Sequence, residues 1–179
     1  MRPHGDPQPL DGRRIRRLPL PCGLCIGRER RLQGGQESAV AAAMEVFLAW
    51  SGGRADVLVN AAGIPGPLLG ETIGELKVKD FDAVMATNLR GPFLLMSHLL
   101  PVMCRQGNGR VINIGGNHGM RGRAGRASYA SSKWALRGLT RSAALEVGKH
   151  GVTANLVAPG ATRSTACASD GPTRPRPKA

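Results

Sequence analysis

The sequence predicts an α/β domain: a partial parallel sheet of about three core strands, flanked by helices. Three observations carry this. A short apolar run at residues 56–60 lacks the polar alternation of a half-exposed strand, and two further strand-like runs stand at 110–114 and 152–157. Segments with apolar residues at helical spacing precede and separate them. Alternating helix and strand, with a crossover between successive strands, is the signature of parallel pairing.

Residues 1–35 show no sustained period and are punctuated by Pro3, Pro7, Pro9, Pro19 and Pro21, so an irregular basic segment is expected. Residues 36–50 are helix-prone, with Val40, Ala43, Met44, Phe47 and Leu48 on one face and Ser51-Gly52-Gly53 as the stop. Asp56 to Asn60 follows as the first strand, closed by Ala61-Ala62-Gly63. Its lack of alternation suggests burial on both faces. Residues 64–79 read as a loop with room for a short helix. Residues 80–106 form a long helical pattern that Pro92 and Pro101 should bend or interrupt, with Met96, Leu99 and Met103 in the core. Arg110 to Ile114 is the second strand, residues 115–126 a loop rich in glycine and arginine, and residues 128–149 the third helix. Val152 to Val157 is the third strand, with Pro159-Gly160 after it. The domain is expected over 36–165 and a disordered basic tail over 166–179.

The formal net charge is +13, with the excess concentrated at the two ends. A basic surface can bind nucleic acid. No aromatic residue interleaves the Arg runs, as base stacking would want, so basic tails are the expected reading and nucleic acid is disfavoured as a partner. Cys22 and Cys25 form a lone C-x-x-C without the second ligand pair of a zinc site, and no metal is expected. No apolar run approaches the ~18 residues of a membrane span, and a cytoplasmic location is expected.

The ends of the three strands carry the candidate chemistry. Ligands of parallel sheets bind beyond the carboxyl ends of the strands, and Asn60, Gly115-Gly116 and Pro159-Gly160 all fall there. Tyr129 and Lys133, four residues apart, share one face of the third helix. An ammonium beside a phenol favours the phenolate, so Lys133 is expected to pull the pKa of Tyr129 down towards the range where it can exchange protons.

Together these residues resemble the short-chain dehydrogenase/reductase family. Leu58-Val59-Asn60-Ala61-Ala62-Gly63 is similar to the family's N-N-A-G segment, with alanine at the second Asn. Met85 to Gly91 resembles the helical segment with the catalytic asparagine, at Asn88. Tyr129 and Lys133 match the Y-x-x-x-K pair, and Val157-Ala158-Pro159-Gly160 the P-G turn, with Ser164 or Thr165 near the usual threonine. The resemblance covers about residues 36–165. It implies a partial Rossmann-like sheet and hydride transfer between an alcohol or carbonyl compound and NAD or NADP. It also implies roles. Tyr129 is the general acid/base, Lys133 lowers its pKa and bonds the ribose, and Asn88 holds a water in the proton relay. Asn60, Ala61 and Gly63, with Tyr129, Lys133, Pro159 and Gly160, line the cofactor.

Two departures bear on activity. The family's serine, thirteen residues before the tyrosine, is Gly116 here. Losing one such donor typically costs ~10²–10³ in rate. The glycine-rich turn that brings a pyrophosphate to a helix N-terminus is reduced to a trace at Cys25-Ile26-Gly27-Arg28. A truncated or rearranged member with impaired chemistry is therefore expected, with an open sheet edge at residues 57–60. The alternative is a non-catalytic interaction protein that pairs with an intact relative through helices 80–106 and 128–149, which would also carry homo-oligomers. The resemblance leaves the substrate and the choice of dinucleotide open.

Overall fold

The computed structural model describes residues 35–67 and 71–160. The irregular segment and tail expected at the chain ends, the C-x-x-C, the trace of the glycine-rich turn, and Ser164 and Thr165 lie outside these residues.

Helix α1 spans Gly35–Trp50 and leads to strand β1, Val57–Asn60. Helix α2 (Val78–Met85) runs through a π-helical turn (Ala86–Arg90) into α3 (Gly91–Gln106). Strand β2 is Gly109–Ile114, α4 is Ala127–Val147 and β3 is Val152–Val157. The sheet order is β1-β2-β3 with every pairing parallel, Val57 opposite Arg110 and Gly109 opposite Val152. The predicted architecture is present. A helix within 64–77 is not: its described residues hold only a turn at 73–75.

The core follows the predicted faces. Val40 and Met44 of α1 are buried, and Ala43, Phe47 and Leu48 pack at the edge of the same cluster. Met96, Leu99 and Met103 of α3 are buried against Val111 of β2 and Val152 of β3. Full burial of such a side chain contributes roughly 1.5–3 kcal/mol, so this cluster is the main reason α1, α3 and the sheet hold together.

Burial on both faces of the strands is corrected. Along β2, Val111 and Asn113 are buried while Arg110 is exposed and Ile112 and Ile114 are intermediate. Val57 and Val59 of β1 are 59% and 53% exposed. The cause is topological. The chain moves in one direction across the sheet, and right-handed crossovers then place α3 and α4 on the same face. The two helices touch each other, α3 meeting β1 and β2 and α4 meeting β3.

The interruption of the long helix also sits elsewhere than at the prolines. Pro101 lies inside α3, and Pro92 occupies its first turn. Pro92 has no N–H to give the Asn88 carbonyl, and its ring pushes that carbonyl aside. The backbone accommodates this one turn earlier by widening to π geometry over Ala86–Arg90.

Candidate active site

Beyond the carboxyl ends of β1 and β2 lies a cleft of about 360 Å³, lined by Ala61, Gly63, Ile64, Pro65, Ile114, Gly115, Arg126, Tyr129 and Lys133. Four predicted residues, Ala61, Gly63, Tyr129 and Lys133, meet there. Asn88 stands directly behind Gly63. Asn60 is buried below, and Pro159 and Gly160 are exposed after β3, outside this lining.

A buried polar chain fixes α4 to the strand ends. Asn60 Nδ2 donates to Asn113 Oδ1 at 2.7 Å, Asn113 Nδ2 to Thr140 Oγ1 at 2.9 Å, and Thr140 Oγ1 to the Leu136 carbonyl at 2.6 Å. All three side chains are buried, where unpaired polar groups are costly, so this chain sets the register between helix and sheet. It leaves Asn60 Oδ1 buried without a partner among the described residues.

Asn88 is fully buried. Its Oδ1 accepts the Ile64 N–H at 2.8 Å, and its Nδ2 donates to the Ile64 carbonyl at 3.0 Å and to Ser132 Oγ at 3.0 Å. Both amide protons are thereby engaged, and the side chain pins the loop after β1 to α4. Ser132 Oγ in turn donates to the Tyr129 carbonyl at 2.8 Å. Gly63 completes this junction. A Cβ there would stand 3.2 Å from Asn88 Oδ1 and 3.5 Å from Lys133 Nζ, so only glycine lets the loop lie this close without displacement.

Lys133 is buried at 4% exposure, and its Nζ donates to the Ile114 carbonyl at 2.8 Å. Desolvation pushes its pKa below the ordinary lysine value. The ammonium lies 5.7 Å from the centre of the Tyr129 ring. The expected lowering of the Tyr129 pKa by Lys133 is not what the geometry gives. Burial raises the phenol above its ordinary value, and the opposing pull comes from Arg126. The lysine charge is directed to Ile114 and to the ring.

Position 116 is glycine where the resemblance expects a serine. A Cβ on Gly116 would stand 2.9 Å from Tyr129 Oη, closer than to any other side chain. The backbone there is extended, with φ 171° and ψ 157°. The hydroxyl is missing, but its place beside the phenol is kept.

Sequence reasoning missed three contributors. Ser132 could have been found from its i+3 spacing to Tyr129 and its place beside Lys133. Arg126 could have been found from its i−3 spacing to Tyr129. The Ile114 carbonyl, a backbone acceptor, leaves no mark in sequence.

The residues present fit the nicotinamide end of a dinucleotide. The loop at Gly63 is cleared of side chains, and a buried cation and a phenol face the same cleft.

Comparisons with known proteins point to one family and to the same fold. The short chain dehydrogenase family profile matches residues 33–174. The short-chain reductase protein NovJ of Streptomyces niveus is 44% identical over 135 residues, which are 75% of this chain and 48% of that protein. A metagenomic short-chain oxidoreductase solved in complex with NADP superposes with a TM-score of 0.65 at 41% identity, covering 70% of this chain and 55% of that one. NAD⁺-bound xylitol dehydrogenase gives a TM-score of 0.65 at 29% identity, covering 69% and 46%. The chain spans just under half the length of the curated relatives it matches. With the match covering most of its length and the sheet, cleft and Tyr129–Lys133 pair in place, the chain belongs to the short-chain dehydrogenase family.

Proposed function

We propose that this chain carries the reaction half of an NAD(P)-dependent oxidoreductase site, interconverting an alcohol and a carbonyl compound. The observation that supports this most is the meeting of Tyr129, Lys133 and Gly63 in one cleft, with Gly116 beside the phenol. A bound nicotinamide supplies or accepts the hydride. Ala61, Gly63, Tyr129 and Lys133 hold it, while Asn60, Pro159 and Gly160 shape the surroundings from the strand ends.

Tyr129 passes the proton at Oη to or from the substrate oxygen. Burial keeps the phenol protonated, which suits donation to a carbonyl oxygen during reduction. Lys133 supplies positive charge to the same site, and binding of a ribose would draw Nζ from Ile114. Asn88 positions the Ile64 backbone and the Ser132 hydroxyl, and through them the tyrosine. In this proposal it supports the relay by holding the loop. No hydroxyl from residue 116 stabilises charge on the substrate oxygen, so turnover is low.

Consumption of NADPH or NADH with an activated aldehyde or ketone tests this. Slow turnover that Tyr129→Phe abolishes supports it. Equal turnover in Tyr129→Phe contradicts it. The relatives bind NADP in one case and NAD⁺ in another, so both are assayed.

A second reading rests on Phe93, Trp134 and Leu145, which are 51%, 47% and 85% exposed on α3 and α4. The two aromatic rings among them, Phe93 and Trp134, suit pairing with another subunit. A non-catalytic chain would co-purify with an intact relative through these helices and show no response to dinucleotide.

A further inference from the structure

We propose that the cleft selects anionic substrates, and that Arg126 selects them by pairing with a carboxylate or phosphate on the carbonyl compound. This rests on the oxidoreductase reading for the carbonyl but not for the anion.

The charge inventory of the cleft is one-sided. Among the described residues Arg126 and Lys133 line it, and no Asp or Glu does. Lys133 is committed to the Ile114 carbonyl. Arg126 has one hydrogen bond among the described residues, from Nη1 to the Pro67 carbonyl at 3.4 Å, near the outer limit for such a bond. Among the described residues no other bond engages its five-donor fork, whose geometry matches the two oxygens of a planar anion bidentately. Arg126 precedes the first residue of α4, lies three residues before Tyr129, and lines the same cleft. An anion held by it stands close to the phenol, whose pKa already responds to the Arg126 charge.

The surroundings strengthen this. Residues 83–145 contain no Asp or Glu, and the loop before Arg126 adds Arg121 and Arg123. No carboxylate of this stretch competes for the guanidinium.

The plainer role is a strap: Arg126 holding the loop at Pro67 to α4. A strap affects stability alike for every ligand. A selector discriminates ligands by charge, and the test reads that difference.

Calorimetric titrations use the full chain, with and without saturating NADPH. The probes are levulinate against its methyl ester, and dihydroxyacetone phosphate against dihydroxyacetone. At least one anion should bind roughly tenfold or more tightly than its neutral partner. The pair that shows the preference tells carboxylate from phosphate. Arg126→Gln should remove the preference and Arg126→Lys keep part of it, both with an unchanged thermal transition. A preference that survives Arg126→Gln, or none in the parent chain, overturns the proposal. So does an Arg126→Gln variant that loses only NADPH affinity, which would make this a cofactor residue. Anion preference without any dinucleotide binding supports the anion site and contradicts the hydride-transfer reading, so the two fail separately.

Discussion

Substituting serine for Gly116 should raise turnover. The extended backbone at this position accepts any residue, so the cost is local. The new Cβ would lie 2.9 Å from Tyr129 Oη, tighter than real Cβ contacts, and the phenol must give way by a few tenths of an ångström. The contact is with the tip of a half-buried side chain, and an off-rotamer shift of this kind costs about 0.5–1.5 kcal/mol. A hydroxyl that donates to the developing charge on the substrate oxygen contributes about 2.7–4 kcal/mol to transition-state stabilisation. The balance is a gain of roughly tenfold to several hundredfold in kcat. Gly116→Ala is the control, since it adds the same carbon without the oxygen and should gain nothing. The assay is initial-rate consumption of NADPH or NADH with one activated ketone. Equal rates for the serine and alanine variants, with cofactor binding intact, would refute the placement of position 116 beside the reacting oxygen.

Other outcomes follow from the same geometry. Asn88→Ala strips partners from the Ile64 N–H and carbonyl and from Ser132, and should cost about 2–4 kcal/mol in urea unfolding. Tyr129 is the single tyrosine, so an ultraviolet titration reads it directly. Its folded pKa is raised above 10.0, so ionisation should be delayed relative to the denatured chain. The sign for stability follows: its contribution is complete below pH 10.0 and is lost as pH rises through the folded value. Arg126→Gln removes the opposing charge and should move the midpoint higher still. Val59→Lys, at an exposed edge-strand position, should reduce aggregation in light scattering with little change in unfolding free energy.

Much of the fold was readable because it depends on short-range pattern. The run at 152–157 and the helix through Tyr129 and Lys133 emerge where the pattern puts them. The one-sided burial of β3 was readable from the alternation of Val152-Thr153-Ala154-Asn155, while that of β1 was not. It follows from the crossovers sharing a direction, which is a property of the assembled sheet, while an apolar run such as β1 looks alike whether one face is covered or two. The π turn was half readable: Pro92 marks a disruption, but the Asn88 carbonyl, one turn back, is the group that must yield. At the site, residue identity located Tyr129, Lys133, Gly63 and Asn88. It did not tell where Lys133 directs its charge, because the competing acceptor is the Ile114 backbone. Asn88 is similar, since its pairing with Ile64 depends on a loop that the sequence leaves unplaced.

Calorimetric titration of the full chain with NADH and NADPH at low salt, alongside Lys133→Ala, tests most directly whether this cleft is a nicotinamide site. Saturable binding of one dinucleotide, weakened about tenfold or more by Lys133→Ala as one charge-assisted hydrogen bond predicts, is the expected result. Binding that Lys133→Ala leaves unchanged, or no binding of either dinucleotide by the folded chain, would contradict it.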